Sequence, residues 1–127
     1  MRRTPFADGE KYHIYNRGTE KRKIFLDKRD YERFLFIIHS FNKDSSGYNT
    51  SRSLNRKSPT REYTNKLVSI ENFCLMPNHY HLVIAQLSEN GISKFLQKVM
   101  TGYTMYFNKK YKRSGALFQG KTKSTYI

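Results

Sequence analysis

The sequence predicts an α+β fold, with helices packed on one face of an antiparallel sheet. Three observations carry this. Runs of β-favouring residues stand at 11–17, 67–76 and 79–85. Apolar residues recur at helical spacing over 29–42 and again from 92 onward. The 127 residues suffice for one hydrophobic core and not for two full-sized domains.

The elements follow in order. Lys11 to Arg17, KYHIYNR, is a strand stopped by Gly18. A basic turn, Thr19 to Lys23, leads to the short apolar Ile24-Phe25-Leu26. Asp27 is a helix cap. Tyr31, Phe34, Leu35, Ile38 and Phe41 then mark the apolar stripe of a helix over about 29–42. Residues 43–66 have six basic and two acidic residues and almost no apolar ones, so they read as a basic, disordered surface loop. The second half opens with a strand over 67–76. Pro77-Asn78 turns the chain, and His79 to Ala85 returns as the second arm of a hairpin. Ser88 to Gly91 supplies a loop and cap. Ile92, Phe95, Leu96, Val99, Met100 and Tyr103, with Tyr106 or Phe107, mark a second amphipathic helix, ending where Lys110 to Arg113 suit a helix C-terminus. Ser114-Gly115 breaks it, and a short extended segment closes the chain. The order β-α-β-β-α-β describes a ferredoxin-like antiparallel sheet, and residues 1–127 read as a single domain.

Charge narrows the function. Lys plus Arg number 24 against 10 Asp plus Glu, a formal charge of +14. From Asn90 to Ile127 there are eight basic residues and no acid. Such a chain points to an anionic partner, with nucleic acid the leading candidate. A ribosome-associated or membrane-surface protein fits the same charge. No run approaches the roughly 20 apolar residues that span a bilayer, and Met1 to Pro5 carries no signal-like apolar run. The single cysteine, Cys74, excludes an internal disulfide and a Cys-rich zinc module. It reads as a small buried apolar residue.

His79 and His81 carry the sharpest chemical signal. At i and i+2 of a strand both leave the same sheet face, with Cα atoms about 7 Å apart. Two imidazoles so placed can converge on one divalent ion, or simply sit on the wet face of a hairpin. Glu71, His13 or a residue outside this chain remain open as a third ligand. His39, mid-helix beside Phe41, reads as structural.

The segment FCLMPNHYHLVI, residues 73–84, resembles the His-hydrophobic-His motif of the single-tyrosine HUH transposases, above all the REP-associated tyrosine transposases and their insertion-sequence relatives. Tyr12 to Gly18, Ile24-Phe25, Asp30 to Leu35, Ser93 to Gln97, Tyr103 to Asn108 and Leu117 to Gly120 resemble further segments of that family. The likeness covers almost the whole chain outside 43–66. It implies a transposase domain that binds single-stranded or hairpin DNA. It also implies a divalent metal ion, Mg or Mn, at His79 and His81, and cleavage through a tyrosine–phosphate intermediate. A homodimer and a cytoplasmic, nucleoid-associated location in a bacterium are implied as well.

The family's tyrosine motif, a run resembling Y-I-x-x-N-P, is not evident here, so the chain is expected to be C-terminally short. Tyr126, Tyr103 and Tyr106 are the candidate nucleophiles. Tyr126 also reads as a strand residue, and Tyr103 and Tyr106 as core packing. A non-catalytic DNA-binding module derived from such a transposase is the alternative. Arg17, Lys94, Lys98, Lys112, Arg113 and Lys121 are the candidate phosphate contacts. The other tyrosines, Tyr12, Tyr15, Tyr31, Tyr48, Tyr63, Tyr80 and Tyr111, have no placement that argues for catalysis.

Overall fold

The computed structural model describes residues 5–44 and 65–127. The region from 45 to 64 lies outside them, so the expectation of a disordered loop there has no counterpart. Among the described residues the strands are β1 (Lys11–Arg17), β2 (Val68–Met76), β3 (His79–Gln86) and β4 (Lys123–Tyr126). The helices are α1 (Lys28–Ser40) and α2 (Gly91–Tyr111), and a 3₁₀ turn spans Thr19–Lys21. The strands form one antiparallel sheet in the order β2-β3-β1-β4. The predicted α+β class is therefore observed.

Alternation along the two central strands builds the core. Tyr12 and Ile14 of β1 pair with Ile84 and Leu82 of β3, and all four are buried. Tyr80 continues that face. Both helices cover it, α1 with Phe34, Ile37 and Ile38, α2 with Ile92, Phe95, Val99 and Tyr103. The α1 stripe is turned by a fraction of a step from the predicted one. Ile37 is buried, and Tyr31, Leu35 and Phe41 are only half-buried at its margins. The Asp27 side chain caps α1 by accepting from the Asp30 amide. The entry to α2 is different: Asn90 takes a left-handed conformation (φ 59°) and its side chain makes no cap bond.

One reading of β2 is corrected. A bulge between Ile70 and Asn72 inserts Glu71 as an extra residue and reverses the alternation beyond it. Val68 and Ile70 face the core before it, whereas Phe73 and Leu75 pair with the buried Leu82 and Tyr80 after it. Cys74 is thereby turned out beside His81 and is exposed, not buried. His39 is also exposed, with its Nδ1 2.8 Å from the Leu35 carbonyl.

Two buried polar residues tie the helices down. Asn42 sits just past α1, accepts from the Leu67 and Val68 amides and donates to the Val68 carbonyl. Asp30 is fully buried and accepts from the Leu26 amide, Lys110 Nζ and the hydroxyls of Tyr106 and Tyr111. Burial alone would raise its pKa. The donors, Lys110 foremost, outweigh that and bring it from 3.8 to about 2.

The charged form of Asp30 therefore stabilises the fold by roughly 2 kcal/mol above pH 4. That contribution falls away as pH drops from about 4 toward 2. Asp30→Asn should cost roughly 3 kcal/mol at neutral pH by urea denaturation, because it leaves two hydroxyls without their carboxylate and Lys110 with Asp27 alone. It should also flatten the acid limb of stability against pH. An unchanged acid limb would remove Asp30 from this role.

Candidate metal and nucleic-acid site

The same alternation that buries one sheet face furnishes the other. The register places Arg17 opposite His79, Tyr15 opposite His81, and His13 opposite Val83. On the outer strand Lys123 stands opposite Tyr15. His79, His81, His13, Tyr15, Arg17 and Lys123 thus share the face that carries no helix among the described residues. An open cleft of about 610 Å³ lies over it, lined by Tyr15, Arg17, Lys21, Asn78, His79, His81 and Lys123, with Asn16 at its margin.

The cleft wall is a turn held by backbone bonds. The Gly18 amide donates to the Asn78 carbonyl, and the Ile24 and Phe25 amides donate to the Pro77 carbonyl. A Cβ on Gly18 would lie 2.3 Å from the Arg22 carbonyl oxygen, so only glycine fits there. Glu20 and Lys21 both adopt left-handed backbone conformations, with φ of 56° and 61°. Two successive non-glycine residues in that region are costly. They bring the chain round so that Lys21 lines the cleft.

The histidines are engaged through one nitrogen each. His79 Nδ1 lies 2.8 Å from Asn78 Oδ1, and His81 Nδ1 lies 2.8 Å from His13 Nε2. An amide oxygen accepts, so Asn78 Oδ1 is placed to take a proton carried on His79 Nδ1. Nε2 of His79 and of His81 have no hydrogen-bond partner among the described residues, so this donor set suits a divalent ion. Burial first, then the neighbouring His13 and His79, push His81 below the ordinary imidazole pKa of 6.5. It is therefore neutral, with a lone pair to offer, at neutral pH. Among the described residues no three His, Cys, Asp or Glu side chains are grouped to hold an ion unaided. Glu71, a candidate third ligand, is the bulged residue beyond the Val83 rung. It pairs with Lys11 at 3.7 Å and accepts from Ser69 Oγ.

The three candidate nucleophiles lie elsewhere. Tyr103 is buried and donates to the Ile24 carbonyl. Tyr106 donates to Asp30. Tyr126 pairs with Tyr12, on the side away from the histidines, and donates to Glu10. All three phenols are pushed above their ordinary pKa, Tyr103 and Tyr106 mainly by burial, Tyr126 by its bond to Glu10. Tyr15, which has no placement in the sequence pattern that argues for catalysis, lines the cleft.

Of the six candidate phosphate contacts, Arg17 alone lines it. Lys94 and Lys98 border a separate groove of about 850 Å³ with Phe41 and Met105. There Lys94 pairs with Asp44, and Lys98 donates to the Lys43 carbonyl. Arg113 is spent on Asn108 and the Ala116 carbonyl, closing the end of α2. Lys112 and Lys121 are exposed and outside the cleft lining. Lys21 and Lys123 take their place. The basic turn at 19–23 was a signal for Lys21, and the face parity of β4 gives Lys123.

Comparison with known proteins adds the family. The profile described as "Transposase IS200 like" matches residues 7–124. Two solved structures share the fold. One is a REP-associated tyrosine transposase bound to a REP hairpin, with TM-score 0.61 and 12% identity, covering 100% of this chain and 61% of that one. The other is a candidate transposase from Deinococcus radiodurans R1, with TM-score 0.59 and 10% identity, covering 100% of this chain and 86% of that one. The chain thus spans about three-fifths of the length of the first. No curated protein matches significantly.

A proton NMR titration should find His81 titrating below 6.5. His13→Gln should raise the value part way, since the electrostatic influence of His13 goes and burial stays. A His81 that titrates at or above 6.5 would contradict this account of the site.

Proposed function

Because the chain belongs to the IS200-like transposase family, as the match over 7–124 shows, we propose that its open sheet face binds single-stranded or hairpin DNA and holds a divalent ion, Mg or Mn, at His79 and His81. The single observation that supports this most is the register that sets both histidines beside Arg17, with Lys21 and Lys123 around the same cleft. The hairpin-bound relative shares the fold, which makes hairpin DNA the ligand to try first.

The chain's own residues divide the work. His79 and His81 would hold the ion, which supplies Lewis-acid stabilisation of a phosphodiester and orients it for attack. Arg17 forks toward non-bridging phosphate oxygens, and Lys21 and Lys123 add point charges along the strand. Tyr15 offers a ring on which an unpaired base can stack. Lys94, Lys98, Lys112, Arg113 and Lys121 lie outside this footprint. They add long-range attraction for DNA and no contact at the cleft. A homodimer pairing through a sheet edge or a helix and a location with the bacterial nucleoid in the cytoplasm belong to the same reading. Among the described residues no helix is long and apolar enough to cross a membrane.

Catalysis in this reading proceeds by a tyrosine hydroxyl attacking the phosphate, giving a phosphotyrosine link and a free 3′-OH. The engagement of Tyr103, Tyr106 and Tyr126 away from the cleft favours a second reading, a DNA-binding module that does not cut. Labelled single-stranded hairpin DNA with Mn²⁺ separates the two. A covalent adduct, mapped to its tyrosine by mass spectrometry, identifies the enzyme, and binding without an adduct identifies the module.

Two results are expected under either reading. His79→Ala with His81→Ala should abolish metal binding measured by calorimetry. Arg17→Ala, Lys21→Ala and Lys123→Ala should each weaken binding to all sequences alike. Each should also reduce the slope of log affinity against log salt by about 0.7, the value for one phosphate contact on a single strand. Unchanged slopes would move the DNA off this face.

A further inference from the structure

We infer that His13 and Asn78 are positioning residues that hold the Nδ1 protons of His81 and His79, so that both rings present an Nε2 lone pair to the divalent ion. The inference rests on the metal reading proposed above and extends it to the groups behind the ligands.

A neutral imidazole has one N–H and one lone pair, so fixing the proton on Nδ1 makes Nε2 the donor to a metal. For His79 the partner is Asn78 Oδ1 at 2.8 Å, which can only accept. For His81 the partner is His13 Nε2, also at 2.8 Å. Only one of those two nitrogens carries the proton. If both ligands are to act alike, it sits on His81 Nδ1 and His13 accepts. The lone pair of His13 Nε2 is then spent on that proton, so His13 stands behind His81 and is not a third ligand.

Both partners are placed firmly enough to set ring orientation. His13 lies in β1, which is paired on both sides, opposite Val83 and Thr125. Its ring lies nearly parallel to His81, with centroids 5.0 Å apart, and Tyr15 packs against both rings, at 4.8 Å from His13 and 5.8 Å from His81. Asn78 sits in the two-residue turn that joins β2 to β3, and its carbonyl accepts from the buried Gly18. The two ligand rings stand at 90° to one another with centroids 5.1 Å apart. Partners that orient metal-binding histidines typically matter by roughly 10–100-fold in affinity.

The test uses the full chain and two readouts. In the metal-free protein with labelled histidine, long-range proton–nitrogen spectra should show His79 and His81 protonated at Nδ1. In His13→Leu, His81 should lose that preference. In Mn²⁺ titrations followed by the free-ion EPR signal, His13→Leu and Asn78→Ala should each weaken binding by roughly 10–100-fold. His13→Gln and Asn78→Asp retain an acceptor oxygen and should stay close to wild type. His13 and Asn78 are both partly exposed, so these changes leave the core intact. Two results would overturn the inference: His79 or His81 protonated at Nε2 in the metal-free wild type, or wild-type Mn²⁺ affinity in His13→Leu and Asn78→Ala. If His79→Ala with His81→Ala abolishes binding while those two variants do not alter it, the metal reading survives and only this inference falls. If the double alanine variant binds Mn²⁺ unchanged, both fall.

Discussion

The pairing of β1 with β3 is the constraint on which the rest of this molecule depends. Tyr12, Ile14, Leu82 and Ile84 must face the helices, because each is buried and each would lose roughly 1.5–3 kcal/mol of apolar burial if turned to water. Once that face is settled, the residues between them have no choice. His13, Tyr15, Arg17, His79 and His81 emerge together on the other side. A slip of one residue in β3 would send both of its imidazoles into the core, and one in β1 would send His13 and Arg17 there. The energy that holds the register is hydrophobic, and the chemistry of the open face is carried along by it.

The helices are fastened by polar groups in a core that is otherwise apolar. Asp30 joins α1 to α2 through Lys110, Tyr106 and Tyr111, and Asn42 joins the end of α1 to the start of β2. A buried carboxylate of this kind tolerates no partial loss of partners. It also disposes of two tyrosine hydroxyls and one lysine, drawing them away from surface chemistry. The helical layer is in this sense spent on structure. The exposed sheet face, with its unpaired Nε2 positions and cationic wall, is where ligand-binding capacity remains.

Much of this could be read from the chain. The element order, the hairpin at Pro77-Asn78, the Asp27 cap and the shared face of His79 and His81 follow from local periodicity and turn chemistry. The Cys74 orientation did not, because a single inserted residue at Glu71 reverses the parity of everything after it, and nothing in the VSIENF pattern announces a bulge. The cations of the cleft were also hard to choose. Charge density favours the acid-free stretch after Glu89, yet proximity is a tertiary property. Lys21 arrives through a strained turn, and Lys123 through a strand that pairs with β1 from the far end of the sequence. Tyr103, Tyr106 and Asp30 show the same limit: helical spacing gives the buried side of a helix, not the partner of a hydroxyl.

The junction around residues 42–68 has a practical meaning. Asn42 clamps the amides of Leu67 and Val68, and the Asp44 amide donates to the Asn65 carbonyl. Residues 44 and 65 therefore meet at a closed stem. By strand rise this stem is roughly 25 Å from the hairpin turn that precedes His79. Loop-closure entropy grows only slowly with length, so a closed stem tolerates a change in the length of what it closes. The stem is a natural grafting point. A fluorophore or affinity handle attached at residue 44 or 65 would start roughly 25 Å from the turn before His79.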